Sequence, residues 1–305
     1  MKPRLFNTID IYPERGYVRK GSTNKEKLKA EILFYLNAPD AIKMLLPELY
    51  RYSEDFSWYE MEYLDWDNLT ELANKRELSP EEWATVFFSI SETYMSFKEN
   101  GDTTDFNYLY KIFISKALDR AHNLDNQELR NIFFNGVILN GTQRQPLASL
   151  LLSNFGVLFK ATKSISILHG DFCFSNIMVS PDLRKIKLLD PRGGFDEPSV
   201  HGPMAYDIAK LAQSTYSWYD KIVEGHYNLS RSDNGYGLSI TGHDWMTDAR
   251  IAFDPMLETM GLTEADAKAL AGLMLAGTPT MHLDDSNRAI SLALNAVLLL
   301  SSKVR

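Results

Sequence analysis

Cysteine is almost absent from this sequence, since Cys173 is the only one in 305 residues. A single thiol cannot form an internal disulfide, and such a chain suits a reducing compartment. Long apolar runs are absent as well, because the longest, at residues 293–300, is too short to span a bilayer. The sequence does not open with the charged segment, apolar stretch and cleavage site of a secretory signal. We therefore expect a cytoplasmic protein without membrane insertion.

Basic tracts are also lacking. The 32 Lys and Arg residues are scattered among 40 Asp and Glu residues, and the formal net charge is −8. This charge argues against a nucleic-acid partner, because nucleic-acid-binding proteins concentrate positive charge on one face. It is compatible with a cationic small substrate, and equally with a role in solubility alone. A chain of this length can form one large domain or two lobes.

The most informative stretch covers residues 167–195 and reads I-L-H-G-D-F-C-F-S-N-I-M-V-S-P-D-L-R-K-I-K-L-L-D-P-R-G-G-F. Within it Asp171 and Asn176 are five residues apart, and Asp190 follows fourteen residues later. Phosphoryl transfer needs one carboxylate that orients a hydroxyl group and accepts its proton. It also needs oxygen ligands, such as an amide and a second carboxylate, that hold Mg²⁺. Asp171 is thus the candidate base, and Asn176 and Asp190 are the candidate Mg²⁺ ligands.

Two short β-prone runs, residues 177–179 and 185–189, flank the turn triplet Ser-Pro-Asp at 180–182. This pattern predicts a β-hairpin. A hairpin of this length returns Asp190 to a position beside Asn176. The alternative interpretation is a chance hairpin in an unrelated α+β protein.

The pattern H-G-D-x-x-x-x-N at 169–176, followed by Asp190 at a strand end, resembles the aminoglycoside phosphotransferase and choline kinase superfamily. Gly170 stands where protein kinases usually carry Arg. The D-P-R-G sequence at 190–193 resembles a bacterial subgroup often linked to capsular or surface polysaccharide synthesis. The resemblance covers roughly residues 15–215 and is strongest at 169–193.

This resemblance implies an α+β, bilobal, protein-kinase-like fold. It places a small antiparallel β-rich lobe with one helix at residues 1–64. A large, mainly helical lobe at residues 65–305 would hold the catalytic loop and the acceptor site. Mg²⁺ and ATP would lie between the lobes, and a small molecule would offer the acceptor hydroxyl. His169 is expected to serve catalysis by hydrogen bonds within the loop, because kinase-like folds leave the proton to the aspartate.

The small lobe also supplies a candidate ion pair. Residues 17–20 read as a strand and 24–36 as a helix. Glu31 lies on the apolar side of this helix, where a lone acid needs a cationic partner. Lys20 is the natural candidate, and it resembles the kinase lysine that holds nucleotide phosphates. Arg19 is the alternative cation, and a surface lysine with an unrelated acid is the alternative arrangement.

Nucleotide contacts are expected where the small lobe ends. Residues 57–64 read as a strand, and by resemblance the segment that follows its core supplies groups to the nucleotide base. Glu62 and Leu64 are the residues placed there.

Glycine is scarce in the small lobe, with Gly16 alone between residues 1 and 20. Kinase-like lobes normally carry a glycine-rich loop ahead of the lysine strand. If residues 5–12 form the strand just before that of Lys20, the phosphate-covering loop is shortened or missing.

Several other residues have open roles. Arg192 is placed to contact a phosphate or an anionic substrate group, or else to form a structural salt bridge. Cys173 is explained more simply as a small buried residue than as a nucleophile. Asp207 resembles the aspartate that braces the catalytic loop in this superfamily.

The last third of the chain has fewer signals. Residues 226–242 are rich in Gly, Ser and Asn and are predicted to form a loop. His282, Asp284 and Asp285 are candidates for the acceptor pocket, and an Asp at a helix start is ordinarily a cap.

The leading functional hypothesis is an ATP-dependent phosphotransferase that acts on a hydroxyl of a sugar, an amino alcohol or an aminoglycoside-like compound. Its resemblance to the D-P-R-G subgroup suggests surface polysaccharide synthesis. The second hypothesis is a pseudokinase that binds nucleotide, or a partner module without turnover, and nucleotidyl transfer is a third. The residues do not distinguish ATP from GTP, and they indicate no oligomeric state.

Overall fold

The computed structural model describes residues 7–97, 106–161, 165–194 and 199–301. Strands and helices both occur along the chain, so the protein belongs to the mixed α+β class. The strands are β1 (Asn7–Tyr12), β2 (Tyr17–Ser22), β3 (Leu49–Tyr52), β4 (Trp58–Glu62), β5 (Asp67–Asn68), β6 (Val137–Leu139), β7 (Thr142–Arg144), β8 (Ile165–Ile167), β9 (Ile177–Val179), β10 (Ile186–Leu188), β11 (His201–Pro203), β12 (Tyr227–Ser232) and β13 (Gly235–Ile240). The α-helices are α1 (Lys25–Asn37), α2 (Asp40–Lys43), α3 (Leu69–Lys75), α4 (Pro80–Ser96), α5 (Phe106–Tyr110), α6 (Lys116–His122), α7 (Gln127–Phe134), α8 (Leu147–Asn154), α9 (Val157–Ala161), α10 (Met204–Tyr216), α11 (Tyr219–Val223), α12 (Met246–Thr259), α13 (Glu264–Ala276) and α14 (Ser286–Ser301).

Two compact units divide the chain. Met1–Asp102 and Ser164–Asp207 form the first unit, and Thr103–Lys163 and Ile208–Arg305 form the second. The β-rich lobe predicted at residues 1–64 falls in the first unit, and so does the predicted catalytic hairpin. All of the residues predicted to act in catalysis, metal binding or nucleotide binding therefore belong to this one unit.

An antiparallel sheet with the strand order β1-β2-β4-β3 begins the first unit. β1 and β2 form a hairpin in which Ile9 is the register partner of Lys20. The strands predicted at 5–12 and 17–20 are present over the described part, and residues 5 and 6 lie outside it. This hairpin fixes the position of the candidate phosphate-binding lysine.

Helix α1 follows β2 and carries an acidic side chain into the interior. The Asn24 side chain caps the helix by accepting a hydrogen bond from the Lys27 N–H at 3.1 Å. Leu28 and Ile32 are buried at the spacing of one helix face. Glu31 is buried as well, as the sequence predicted.

The predicted catalytic hairpin is present as β9 and β10, in a small sheet with the strand order β10-β9-β5. Ile177 pairs with Leu188 in its register. Beyond that pair, the Leu189 N–H donates to the Asn176 carbonyl at 2.8 Å. Asp190 therefore follows directly after a residue bonded to Asn176, which is the arrangement that the length of the hairpin predicted.

Helix α4 packs against the residues that lead into this hairpin. Ser79 and Glu82 form a capping box at its start, where each side chain bonds the backbone of the other residue. The rings of Trp83 and Phe87 then lie 5.9 and 6.1 Å from the ring of Phe174. Such aromatic packing fixes the segment between the candidate base and the candidate metal ligands.

Helices dominate the second unit, as the sequence predicted for the C-terminal part. α13 and α14 pack against each other, and α14 buries most of its length, from Ala289 to Val297. Among the described residues, none of the helices is both long enough and apolar enough to cross a bilayer.

The prediction of a loop at residues 226–242 is wrong. This segment forms the hairpin of β12 and β13, in a sheet with the order β12-β13-β6-β7. Its glycines allow close packing: a Cβ atom at Gly235 would lie 2.3 Å from the Ile138 carbonyl oxygen, and one at Gly237 would lie 2.5 Å from the Ser230 hydroxyl. Glycine here therefore reflects contact between strands.

Candidate active site

A buried lysine joins the sheet, helix α1 and the end of the catalytic hairpin. The Lys20 Nζ atom lies 2.8 Å from Glu31 Oε2 and 2.6 Å from Asp190 Oδ1. Lys20 is only 2% exposed and Glu31 is fully buried. Tyr59 of β4 adds a hydroxyl that donates to Glu31 Oε2 at 3.2 Å. The predicted pair of Lys20 and Glu31 is thus present, and it extends to the candidate metal ligand.

The electrostatics of this network favour the charged forms of Lys20 and Asp190, whereas burial raises the pKa of Glu31. Burial alone would lower the pKa of Lys20, but the carboxylates of Asp190 and Glu31 outweigh it and raise that pKa. Burial alone would raise the pKa of Asp190, and the Lys20 ammonium outweighs it and lowers that pKa. Asp190 is therefore held as a carboxylate, which is the form that a Mg²⁺ ligand must have.

Asp190 also has an unusual backbone conformation, with a φ of 57°. Residues other than glycine rarely adopt this left-handed region, and such strain persists where the surrounding contacts enforce it. Two contacts hold Asp190 in place. The preceding residue, Leu189, bonds the Asn176 carbonyl, and the Asp190 side chain pairs with Lys20. The conformation therefore indicates that the Asp190 side chain must occupy a particular position.

The catalytic loop is braced by buried hydrogen bonds. Asp207 accepts the backbone N–H groups of His169 at 2.7 Å and of Gly170 at 2.8 Å, as the resemblance implied. The Nδ1 atom of His169 accepts the N–H of Asp171 at 3.3 Å, and Asn176 Nδ2 donates to the Asp171 carbonyl at 2.9 Å. Asp171 is thus fixed from both sides along the chain.

His169 is buried, and its imidazole is a weak base. Burial lowers its pKa to about 4, and the nearby carboxylates of Asp171 and Asp190 oppose this only in part. At neutral pH the ring is therefore uncharged. The hydrogen bond from the Asp171 N–H to the His169 ring agrees with the expected role of His169 in stabilising the loop. The part of His169 in catalysis stays a prediction.

Gly170 explains how the loop meets the D-P-R-G segment. Its φ is +79°, and a Cβ atom there would lie 2.8 Å from the Gly193 carbonyl oxygen and 3.0 Å from Arg192 Cβ. The same contact brings the N–H groups of Arg192 and Gly193 to the His169 carbonyl at 2.6 and 3.2 Å. A side chain between His169 and Asp171 would separate the two segments.

Arg192 makes an ion pair with the candidate base. Its Nη2 atom lies 2.7 Å from Asp171 Oδ2. Burial alone would lower the pKa of Arg192, but Asp171 and other anionic neighbours raise it above the ordinary value. Of the two roles that the sequence left open, the structure contains the salt bridge, and a contact with phosphate or an anionic substrate stays a prediction.

Lys27 belongs to this site and was missed by the sequence reasoning. Its Nζ atom lies 3.5 Å from Glu31 Oε1, and its side chain is 19% exposed. Burial lowers the pKa of Lys27, and the positive charge of Arg192 lowers it further. The available signal was the four-residue spacing from Glu31, which places both side chains on one helix face.

Glu62 is the last residue of β4, and Leu64 lies two residues beyond it. Glu62 Oε2 accepts the Glu48 N–H at 3.2 Å and lies 3.3 Å from Lys187 Nζ. The Tyr63 N–H between them donates to the Gly16 carbonyl at 3.0 Å. The predicted contacts of Glu62 and Leu64 with the nucleotide base stay predictions.

Other candidates have structural partners. Cys173 is buried, as expected, with its Sγ atom 3.3 Å from Ser175 Oγ. In the second unit, Asp285 accepts the Arg288 N–H at 3.0 Å as a helix cap, and Asp284 pairs with the Arg288 side chain. The two acids therefore serve their own helix, and their predicted place in an acceptor pocket stays a prediction.

The donor set fits Mg²⁺ when phosphates supply the remaining ligands. Among the described residues, His, Cys, Asp and Glu side chains form no group of three that could hold a metal alone. Mg²⁺ in nucleotide sites typically uses one or two carboxylates together with phosphate oxygens and water. Asp190, held as a carboxylate, and the side-chain amide of Asn176, whose backbone carbonyl bonds the Leu189 N–H, match that requirement.

Comparisons with known proteins establish the fold. No family model matches the chain, and no curated protein sequence matches it. The GDP complex of aminoglycoside 2'-phosphotransferase-IIIa aligns with a TM-score of 0.60 at 9% identity, over 99% of this chain and 90% of that chain. A thermostable mutant of aminoglycoside phosphotransferase APH(4)-Ia, in a ternary complex with AMP-PNP and hygromycin B, aligns with a TM-score of 0.55 at 12% identity, over 100% and 94%.

Glucosamine kinase in complex with glucosamine, ADP and inorganic phosphate also aligns, with a TM-score of 0.55 at 12% identity over 92% of this chain and 76% of that chain. At these identities the likeness is one of fold. The protein therefore has the kinase-like α+β fold that its central motif predicted, with an antiparallel N-terminal sheet and a helical C-terminal part.

Proposed function

We propose that this protein is an ATP-dependent phosphotransferase that moves the γ-phosphate to a hydroxyl group of a small molecule. The ion pairs of Lys20 carry the proposal, because one ammonium group contacts both Glu31 and Asp190 beside the braced loop of Asp171. Positioning and electrostatic stabilisation supply most of the catalysis in phosphoryl transfer. This network contains charged groups that are held in fixed positions, so it can contribute both effects.

Each residue has a definite part in the proposal. Lys20, oriented by Glu31, binds the nucleotide phosphates. Asp190 and Asn176 hold Mg²⁺, which when bound neutralises charge on the phosphates. Asp171 accepts a hydrogen bond from the acceptor hydroxyl, orients its oxygen toward the phosphate, and takes its proton as the new P–O bond forms. The bond between the γ-phosphorus and the bridging β,γ-oxygen breaks in the same transfer, and the nucleoside diphosphate leaves with that oxygen.

The Arg192 ion pair supports the assignment of Asp171 as the base. The Arg192 Nη2 atom lies 2.7 Å from Asp171 Oδ2. This contact restricts the rotamer of Asp171, so that the carboxylate is in place before the acceptor arrives. The proton therefore goes to a group that is already oriented.

The acceptor belongs to a class of small hydroxyl compounds. The aligned structures carry hygromycin B in one case and glucosamine in another. Together with the D-P-R-G sequence, they favour amino sugars, aminoglycosides, amino alcohols and sugars of surface polysaccharides as the compounds to test first.

The test is an acceptor panel of these compounds with Mg²⁺ and either ATP or GTP, with release of the nucleoside diphosphate as the readout. We expect turnover with at least one acceptor, and its loss in Asp190→Ala. Asp182→Ala, which removes an exposed carboxylate from the loop of the same hairpin, is the matched control and should keep turnover. Equal turnover in Asp190→Ala and wild type would contradict the proposed metal site.

A nucleotide-binding module without turnover is the second candidate, and one observation favours it. The turn that precedes Lys20 in the β1–β2 hairpin consists of the four residues 13–16, which contain a single glycine. Calorimetry that detects Mg-nucleotide binding, with no transfer to any acceptor over long incubation, would support the module. Mass spectrometry of the products would separate an added phosphate from an added nucleotide.

A further inference from the structure

The turn between β1 and β2 is short, and Gly16 is held by backbone hydrogen bonds on both sides. Within residues 13–16, the Gly16 N–H donates to the Pro13 carbonyl at 3.1 Å, and the Gly16 carbonyl accepts the Tyr63 N–H at 3.0 Å. The rings of Tyr12 and Tyr17 lie 4.7 Å apart at the base of the turn. The glycine-rich loop of kinase-like folds covers the phosphates, and this turn is short and closed by its own contacts.

Lys27 provides a cation in the same region. Glu31 Oε2 binds Lys20 Nζ at 2.8 Å, and its other oxygen, Oε1, lies 3.5 Å from Lys27 Nζ. One buried carboxylate therefore holds two ammonium groups, one from β2 and one from the first turn of its own helix. The low exposure of Lys27, 19%, shows that its side chain lies along the protein instead of extending into solvent.

Lys27 belongs to the same charge cluster as the candidate metal ligand. Lys20 Nζ lies 2.6 Å from Asp190 Oδ1 and 2.8 Å from Glu31 Oε2, and Lys27 Nζ lies 3.5 Å from the other oxygen of Glu31. Two ammonium groups therefore share the carboxylate of Glu31, and one of them also contacts Asp190. A polyphosphate chain carries several negative charges, and closely spaced ammonium and guanidinium groups are its usual ligands.

The neighbouring lysines of α1 point elsewhere. Lys25 is exposed and pairs with Asp55 at 2.6 Å, and the Lys29 ammonium lies 5.5 Å from the centre of the Phe56 ring. The position of Lys27 is therefore specific to its place on the helix, and Lys25 provides a matched control in the same segment.

We propose that Lys27 is a second phosphate-binding lysine, which contacts the β- and γ-phosphates of the bound nucleotide and replaces donors that a glycine-rich loop would supply. The inference rests on the proposed function, because it assumes that a nucleotide binds beside Lys20 and Asp190. Glu31 orients both ammonium groups, so that the two lysines act on one phosphate chain.

The test compares a nucleoside triphosphate with its nucleoside. Isothermal titration of Lys27→Met with Mg-ATP should show an affinity at least about tenfold weaker than that of wild type, which is the effect of losing one charge-assisted contact. Binding of adenosine should remain within about twofold of wild type, since adenosine has no phosphate. GTP and guanosine replace this pair if the protein prefers that nucleotide.

Two further variants separate phosphate binding from a structural role. Lys27→Arg keeps the positive charge and should recover most of the triphosphate affinity. Lys25→Met should bind the triphosphate as wild type does. Equal losses for triphosphate and nucleoside in Lys27→Met, or a triphosphate affinity within about twofold of wild type, would overturn the role of Lys27.

The outcomes distinguish this inference from the proposed function. If wild type binds nucleotide and transfers phosphate while Lys27→Met retains full triphosphate affinity, the inference alone fails. If wild type binds neither ATP nor GTP, the proposed function fails, and the role of Lys27 fails with it.

Discussion

Arg192 and Asp171 form an ion pair in which Nη2 lies 2.7 Å from Oδ2. The pair joins the D-P-R-G segment to the catalytic loop, and it adds to the hydrogen bonds that the N–H groups of Arg192 and Gly193 make to the His169 carbonyl. The position of the candidate base therefore depends on a residue 21 positions further along the chain.

Removal of Arg192 should impair the chemical step more than nucleotide binding. We expect Arg192→Met to lower kcat by about a hundredfold, because Asp171 loses the contact that orients it. The KM for nucleotide should change by less than about threefold, because Lys20 keeps its contacts with Glu31 and Asp190. Steady-state kinetics at saturating acceptor measures both quantities, and Arg184→Met, at an exposed position in the catalytic hairpin, is the control. An unchanged kcat would contradict the positioning role.

Gly170 should be intolerant of a side chain. In Gly170→Ala the new Cβ atom would lie 2.8 Å from the Gly193 carbonyl oxygen at a φ of +79°. Gly225→Ala is the matched control, since Gly225 has a φ of +88° and no atom within 4 Å of its Cβ position. We expect the free energy of unfolding to fall by about 1 kcal/mol or more further in Gly170→Ala than in the control, because overpacking adds to the backbone strain. Urea unfolding measures the difference, and equal losses would contradict the contact.

The buried His169 should make stability depend on pH. Its pKa is about 4 in the folded protein, and the ordinary value is 6.5. Between these values the unfolded chain binds more protons than the folded chain, so the free energy of unfolding decreases as the pH falls from about 6.5 to about 4. The histidine accounts for a loss of about 3 kcal/mol at most across this window.

Urea unfolding at a series of pH values tests the role of His169. The slope of stability against pH in this window should be smaller in His169→Asn than in wild type. Equal slopes would show that His169 does not titrate as a buried neutral group.

The sequence was most informative where local pattern and chemistry agreed. The hairpin between Asn176 and Asp190 could be predicted because two short apolar strands flank a turn triplet, and the register of such a hairpin follows from its length. The pair of Lys20 and Glu31 could be predicted because a lone acid on an apolar helix face needs a cation.

Other features depend on contacts that local pattern does not encode. Arg192 meets Asp171 only when the D-P-R-G segment crosses the catalytic loop, and Gly170 reveals its function only when Gly193 lies against it. A lysine in a helix is ordinarily a surface residue, so the sequence did not indicate that Lys27 is largely buried. Its burial depends on the position of α1. The β12–β13 hairpin was missed because Gly and Ser have low strand propensity, whereas close packing against β6 requires small residues there.

The variant Asp171→Asn, assayed with Mg-nucleotide and the acceptor found in the panel, tests the central claim most directly. The account predicts that nucleotide affinity stays within about threefold of wild type while kcat falls by about a hundredfold or more, because the amide cannot take the hydroxyl proton. A kcat close to that of wild type would contradict the assignment of Asp171 as the base.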